Sequence, residues 1–187
     1  MKPLRLAVDT NVLLDLADAV DDVLDAVAIL ERRLPDTDKL VLPSVLDEMA
    51  FLAESGLTET VRRSAARAWR RLRIERRFRP LLELPFPAES VAELAAEFRG
   101  RGLLPVVEVH DSLILAETAI MSCGLLLSSD EHLRGIDPRE LAWMLHPYEL
   151  AAPIHCHTSR NSAEVLPLSA KTSNSLGGRW SKSCIGR

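Results

Sequence analysis

LRLAVDTNVLLDL, residues 4–16, is an apolar run that stops at an acid and restarts with a different period. Leu4 to Val8, apolar but for Arg5, reads as a short buried strand. Asp9-Thr10-Asn11 ends it. From Val12 to about Leu34 the apolar positions Val12, Leu13, Leu16, Val20, Val23, Leu24, Val27, Leu30 and Leu34 recur at three- and four-residue steps. That spacing is helical, and the stretch Asp18 to Asp22 offers a break into two helices. Strand, acid, helix is the opening of a βαβ unit, which needs a parallel partner strand.

The rest of the chain repeats the alternation. Pro35 to Asp38 is a turn, and Leu40-Val41-Leu42 reads as a second strand. Pro43-Ser44 opens a helix with Val45, Leu46, Met49 and Leu52 on its apolar face, and Ser44 with Asp47 fits a capping box. Gly56 closes it. Residues 58–78 read as a long helix with Val61, Ala65, Ala68, Trp69 and Leu72 in one stripe. Pro80, Pro85 and Pro87 mark a loop. Helices come next at Ser90 to Phe98 and at about Asp111 to Ser122, then a buried strand at Leu125 to Leu127. Pro138 to Leu145 reads as a helix and Pro153 to His157 as a last strand. The expectation is an α/β fold, a Rossmann-like α/β/α sandwich with a mainly parallel central sheet.

The chain has 187 residues, enough for one domain with a substantial core and short for two. We assign residues 1–165 to that domain and expect 166–187, rich in Ser, Gly, Lys and Arg, to be a disordered tail. No apolar run has the roughly 18 residues a membrane helix requires, and the start carries no signal peptide, so a cytoplasmic location without membrane partners is expected. Three cysteines with no CxxC pair argue against a disulfide framework or a zinc knuckle. His155-Cys156-His157 has no evident fourth zinc ligand. Net charge is −4, yet residues 62–79 hold nine arginines against Glu75, +8 locally, which leaves −12 elsewhere.

Those acids fall in a pattern. In open parallel sheets, function gathers outside the carboxyl ends of the strands. Asp9 directly follows the first strand, and Asp130 follows Leu125–Leu127 across two serines. Glu48 and Asp111 lie near the starts of the helices after the second strand and before the third. Four crowded carboxylates repel one another, and a hard divalent cation, Mg²⁺ or Mn²⁺, relieves the repulsion. Such an ion can orient a phosphodiester and activate water. Thr10, Asn11 and Ser128 are short polar groups suited to holding the acids in place. Of the other acids nearby, Asp47 reads as the helix cap and Asp15 and Glu117 as solvated. His110 and His132 read as surface residues.

VDTNVLLDL at 8–16, LPSVLDEMAFL at 42–52, HDSLILAETA at 110–119 and LLLSSDEHL at 125–133 resemble, in order, the four motifs of the PIN-domain family. Ser128 stands where that family usually has threonine. The resemblance spans residues 4–135, with a last strand reaching about 158. It implies Asp9, Glu48, Asp111 and Asp130 as catalytic metal ligands, with Asn11 and Ser128 as weaker supports. It also implies Mg²⁺- or Mn²⁺-dependent endoribonuclease activity on RNA. Many members are VapC-type toxins of toxin–antitoxin pairs, often dimeric, so an antitoxin protein and a homodimer are the implied partners. This chain departs from compact members in the 62 residues between Glu48 and Asp111, which hold the arginine helix.

That helix carries the competing expectation. Arg62, Arg63, Arg67, Arg70 and Arg71 could track an RNA backbone, each neutralising a phosphate. A catalytically silent module binding RNA or protein through residues 58–78 is the alternative to the nuclease. A small-molecule phosphohydrolase is a third reading. The phosphoaspartate type wants Asp-x-Asp after the first strand, and Asp9-Thr10-Asn11 lacks the second carboxylate.

Overall fold

The computed structural model describes residues 3–157. Five parallel strands form one sheet: β1 (Arg5–Val8), β2 (Asp38–Val41), β3 (Arg79–Pro80), β4 (Leu125–Ser128) and β5 (Ile154–His157). Their order is β3-β2-β1-β4-β5. From β1 the chain winds to one edge through β2 and β3, then crosses back to lay β4 and β5 on the other side. Right-handed crossovers in opposite directions put helices on opposite faces, which makes a Rossmann-like α/β/α sandwich. The point of reversal lies between β1 and β4. Val8 pairs in register with both Val41 and Leu127, so the carboxyl ends of the three central strands are level.

The helices are α1 (Thr10–Ala17), α2 (Asp21–Arg33), α3 (Pro43–Ser55), α4 (Glu59–Glu75), α5 (Ala88–Gly100), α6 (Val109–Ile120), α7 (Glu131–Arg134) and α8 (Pro138–Leu145). The break at Asp18 to Asp22 does make two helices, with Ala19 in the left-handed region between them. Leu6, Ala7, Val8, Leu40, Val41 and Leu125–Leu127 are all buried, as strands covered on both faces must be. α4 packs on α1 and α3, and α6 packs on α5 and α3.

Three local readings need correction. The long helix ends at Glu75, not 78, because Arg76 turns left-handed with φ 49°. The segment beyond it is not all loop. Arg79–Pro80 forms a two-residue edge strand on β2, and an edge tolerates a proline that cannot donate to a ladder. Arg79 pairs with Asp38, and Arg77 grips Glu31 through two bonds of 2.8 and 2.7 Å. Finally, Ser44 does not cap α3. The helix begins at Pro43, its N-cap residue is Leu42, and no local side chain caps it.

The expected domain end at 165 and the tail 166–187 lie outside the described residues. Within them, no helix is long and apolar enough to cross a membrane.

Candidate metal centre

β1 ends where its apolar run ends, and the next residue is Asp9. Its backbone N–H still pairs with Leu127 O of β4 at 3.0 Å, so the acid is held to both central strands. Asp9 occupies the N-cap position of α1, yet its side chain makes no capping bond. Instead Oδ2 accepts a 2.7 Å hydrogen bond from the Ser128 hydroxyl at the end of β4. The residue is 1% exposed.

Ser128 works in both directions. Its Oγ donates to Asp9 and accepts the Asp130 N–H at 2.9 Å. Asp130 in turn caps the short α7, with Oδ1 accepting from the N–H of His132 at 2.7 Å and of Leu133 at 3.2 Å. On the other side of β1, the buried Thr10 hydroxyl donates to Glu48 Oε2 at 2.6 Å. Glu48 sits in the second turn of α3, slightly deeper than its reading as a helix-start acid. Asp111 is in the first turn of α6, half-buried. Nearby, His132 Nε2 lies 3.5 Å from Glu108 Oε1, bridging the N-termini of α6 and α7.

The four acids act on one another electrostatically. Burial pushes the Asp9 carboxyl up to about 7 against the pull of the Ser128 bond, and repulsion from Glu48 and Asp130 adds to the rise. Asp111 is pushed up to about 8, first by burial and then by Asp130, Asp9, Glu108 and Glu48. Among the described residues no lysine or arginine forms an ion pair with any of the four. Four acids therefore interact at one end of the sheet with no basic side chain among the described residues paired to them. All-oxygen donors of this kind suit a hard divalent cation. As the side chains stand, no three His, Cys, Asp or Glu among the described residues form a metal-holding group.

Of the expected supports, Ser128 is in place, Thr10 holds Glu48, and Asn11 is exposed. The arginine helix is mostly occupied with its own fold. Arg62 and Arg63 pair with Glu59, Arg67 with Asp18, and Arg71 donates to Leu16 O at 2.6 Å. Arg70 is exposed and stands outside these pairs. Two acids read as solvated are not. Asp15 is half-buried and accepts from Ser129 Oγ at 3.2 Å, and Glu117 is 4% exposed, bonded to Ser44. A signal for Glu117 was present: it stands four residues after Leu113 and three after Ile114, on the apolar stripe.

The PIN domain family model matches residues 6–137, which contain all four acids and, but for Arg5, every strand from β1 to β4. The chain belongs to the PIN domain family. Among solved structures it is similar to a chain in the crystal structure of VapBC2 from Rickettsia felis bound to a DNA fragment from their promoter. That likeness has a TM-score of 0.51 at 15% identity and covers 71% of this chain and 93% of that one. At this identity it speaks for the fold alone. No curated protein matches.

Proposed function

We propose that this PIN domain is a Mg²⁺- or Mn²⁺-dependent endoribonuclease, with Asp9, Glu48, Asp111 and Asp130 holding the metal. One observation carries the reading: four acids that raise one another's cost of ionisation, with no basic partner among the described residues, near the carboxyl ends of β1 and β4, where an open parallel sheet binds its ligands. When bound, the ion supplies Lewis-acid stabilisation of phosphoryl charge and activation of water. The chain's own groups do the rest. Ser128 orients Asp9 and ties it to the Asp130 backbone, and Thr10 orients Glu48. Asp9 and Asp111, whose burial favours the protonated form, would hold such an ion as carboxylates. Hydrolysis in line at phosphorus would leave a 3′-hydroxyl and a 5′-phosphate, by analogy with the family.

The proposal extends to a cytoplasmic toxin of a toxin–antitoxin pair, with a protein antitoxin and a homodimer as partners. The motif resemblance supports that role. The alternative of a silent binding module draws less support, since four of the five arginines read as its RNA contacts bond to acceptors within the chain.

The test is incubation of purified protein with a mixed set of labelled RNAs in Mg²⁺, in Mn²⁺ and in EDTA, beside the Asp9→Asn, Asp111→Asn double variant. Cleavage should need metal and vanish in the variant. Equal cleavage by wild type and variant would overturn the assignment of the site.

A further inference from the structure

α3 carries Glu48, and its N-terminus lacks a local cap. Leu42 has no side-chain acceptor and Pro43 has no N–H. The first orphan donor of the helix is the Ser44 amide, and a buried orphan donor needs a partner. That partner comes from another helix. Glu117 of α6 accepts the Ser44 N–H at 3.1 Å through Oε2 and 3.3 Å through Oε1, and Oε1 accepts the Ser44 hydroxyl at 2.8 Å. Ser44 is 8% exposed and Glu117 4%.

We propose that Glu117 is a positioning residue of the nuclease site, whose buried carboxylate caps α3 from α6 and so fixes where Glu48 stands. This rests on the proposed metal site. Ser44 lies four residues before Glu48, one turn away on the same face of α3. Glu117 lies on the helix that also carries Asp111. One buried link therefore sets the spacing of two acid-bearing helices that otherwise meet only through packing. A carboxylate at a helix N-terminus is favoured by the helix dipole. Burial opposes it and raises the Glu117 carboxyl to about 7. An apolar side chain would fill the same space without that desolvation. It could not hold the Ser44 amide and hydroxyl.

Glutamine separates a cap from a charge. Its amide oxygen can accept the Ser44 N–H while its NH₂ donates to Ser44 Oγ. We would compare Glu117→Ala and Glu117→Gln with wild type by Mn²⁺ affinity at 25 °C, by RNA cleavage, and by amide hydrogen exchange across residues 43–49. Groups that orient metal ligands are typically worth about 10- to 100-fold in metal affinity or activity. Glu117→Ala, folded at the assay temperature, should lose at least about tenfold in Mn²⁺ affinity and exchange faster in residues 43–49. Glu117→Gln should stay close to wild type in both. Wild-type Mn²⁺ affinity in Glu117→Ala, or unchanged exchange in that segment, would overturn the inference. A Gln variant as weak as the Ala variant would do so too, since charge and not capping would then matter. Should the wild type bind no Mn²⁺ and cut no RNA, the proposed function is what fails, and the exchange result still decides whether Glu117 holds the start of α3.

Discussion

Titrating Mn²⁺ into the metal-free protein at pH 6 should expel about two protons per ion, because the ligands must be deprotonated to bind. The number comes from the two most perturbed acids of the cluster. Asp9 is held near 7 by burial with Glu48 and Asp130 beside it, and Asp111 near 8 by burial with Asp130, Asp9, Glu108 and Glu48 beside it. At pH 6 groups with those values are about 90% and about 99% protonated, and at pH 9 about 1% and about 10%. Release should therefore fall from about 1.9 protons to about 0.1 between those pH values. Apparent affinity should climb about a hundredfold per pH unit below pH 7 and level off above pH 8. The assay is calorimetry in buffers of different ionisation enthalpy, where the slope of observed heat against that enthalpy counts protons. Asp9→Asn should reduce the count at pH 6 to about one. Mn²⁺ binding that releases less than about half a proton at pH 6 would refute the reasoning, since the ion would then be held by groups other than these buried acids.

The same perturbation sets the pH dependence of stability. Asp9 is raised from 3.8 to about 7, so its folded form keeps a proton that the unfolded chain has lost. Its contribution is full below about pH 4 and is lost as pH rises to about 7, on the order of 4 kcal/mol. Glu31, lowered from 4.5 to about 2 chiefly by its bonds to Arg77, has the opposite sign and loses its contribution as pH falls from about 4.5 to about 2. Thermal melts of the metal-free protein should therefore be highest near pH 4–5 and fall toward pH 8, with Mn²⁺ restoring most of the loss at pH 8; a melting temperature still rising from pH 5 to pH 8 without metal would contradict this. On α4, Arg71→Ala should cost about 1–2 kcal/mol in urea unfolding by removing a charge-assisted bond to the Leu16 carbonyl in the last turn of α1, while Arg70→Ala should change stability by under about 0.5 kcal/mol. Equal costs would mean the arginine contacts do not hold α4 in place.

Much of this molecule was legible in one dimension. The run Leu4 to Val8, the break after Ala17 and the helix Pro138 to Leu145 are set by local periodicity, which tertiary context did not override. The order strand, acid, helix placed Asp9 and Asp130 at the carboxyl ends of strands, and that order survives whatever the packing does. Boundaries were weaker. Arg79–Pro80 is a strand only because β2 and Asp38 lie beside it, and two residues carry no period of their own.

What the tertiary structure alone decided is which polar groups found partners. Ser44 reads as a cap because a serine followed by an acid commonly is one; its own amide is instead capped from 73 residues away, by Glu117. Arg67 and Arg71 read as part of a solvated, RNA-facing row because their acceptors at the end of α1 are remote in sequence, whereas Glu59, the partner of Arg62 and Arg63, lies within one turn. Hydrophobic patterning repeats with the period of the backbone and can be read along the chain. A hydrogen bond between distant residues depends on burial and distance, which exist only once the elements have packed.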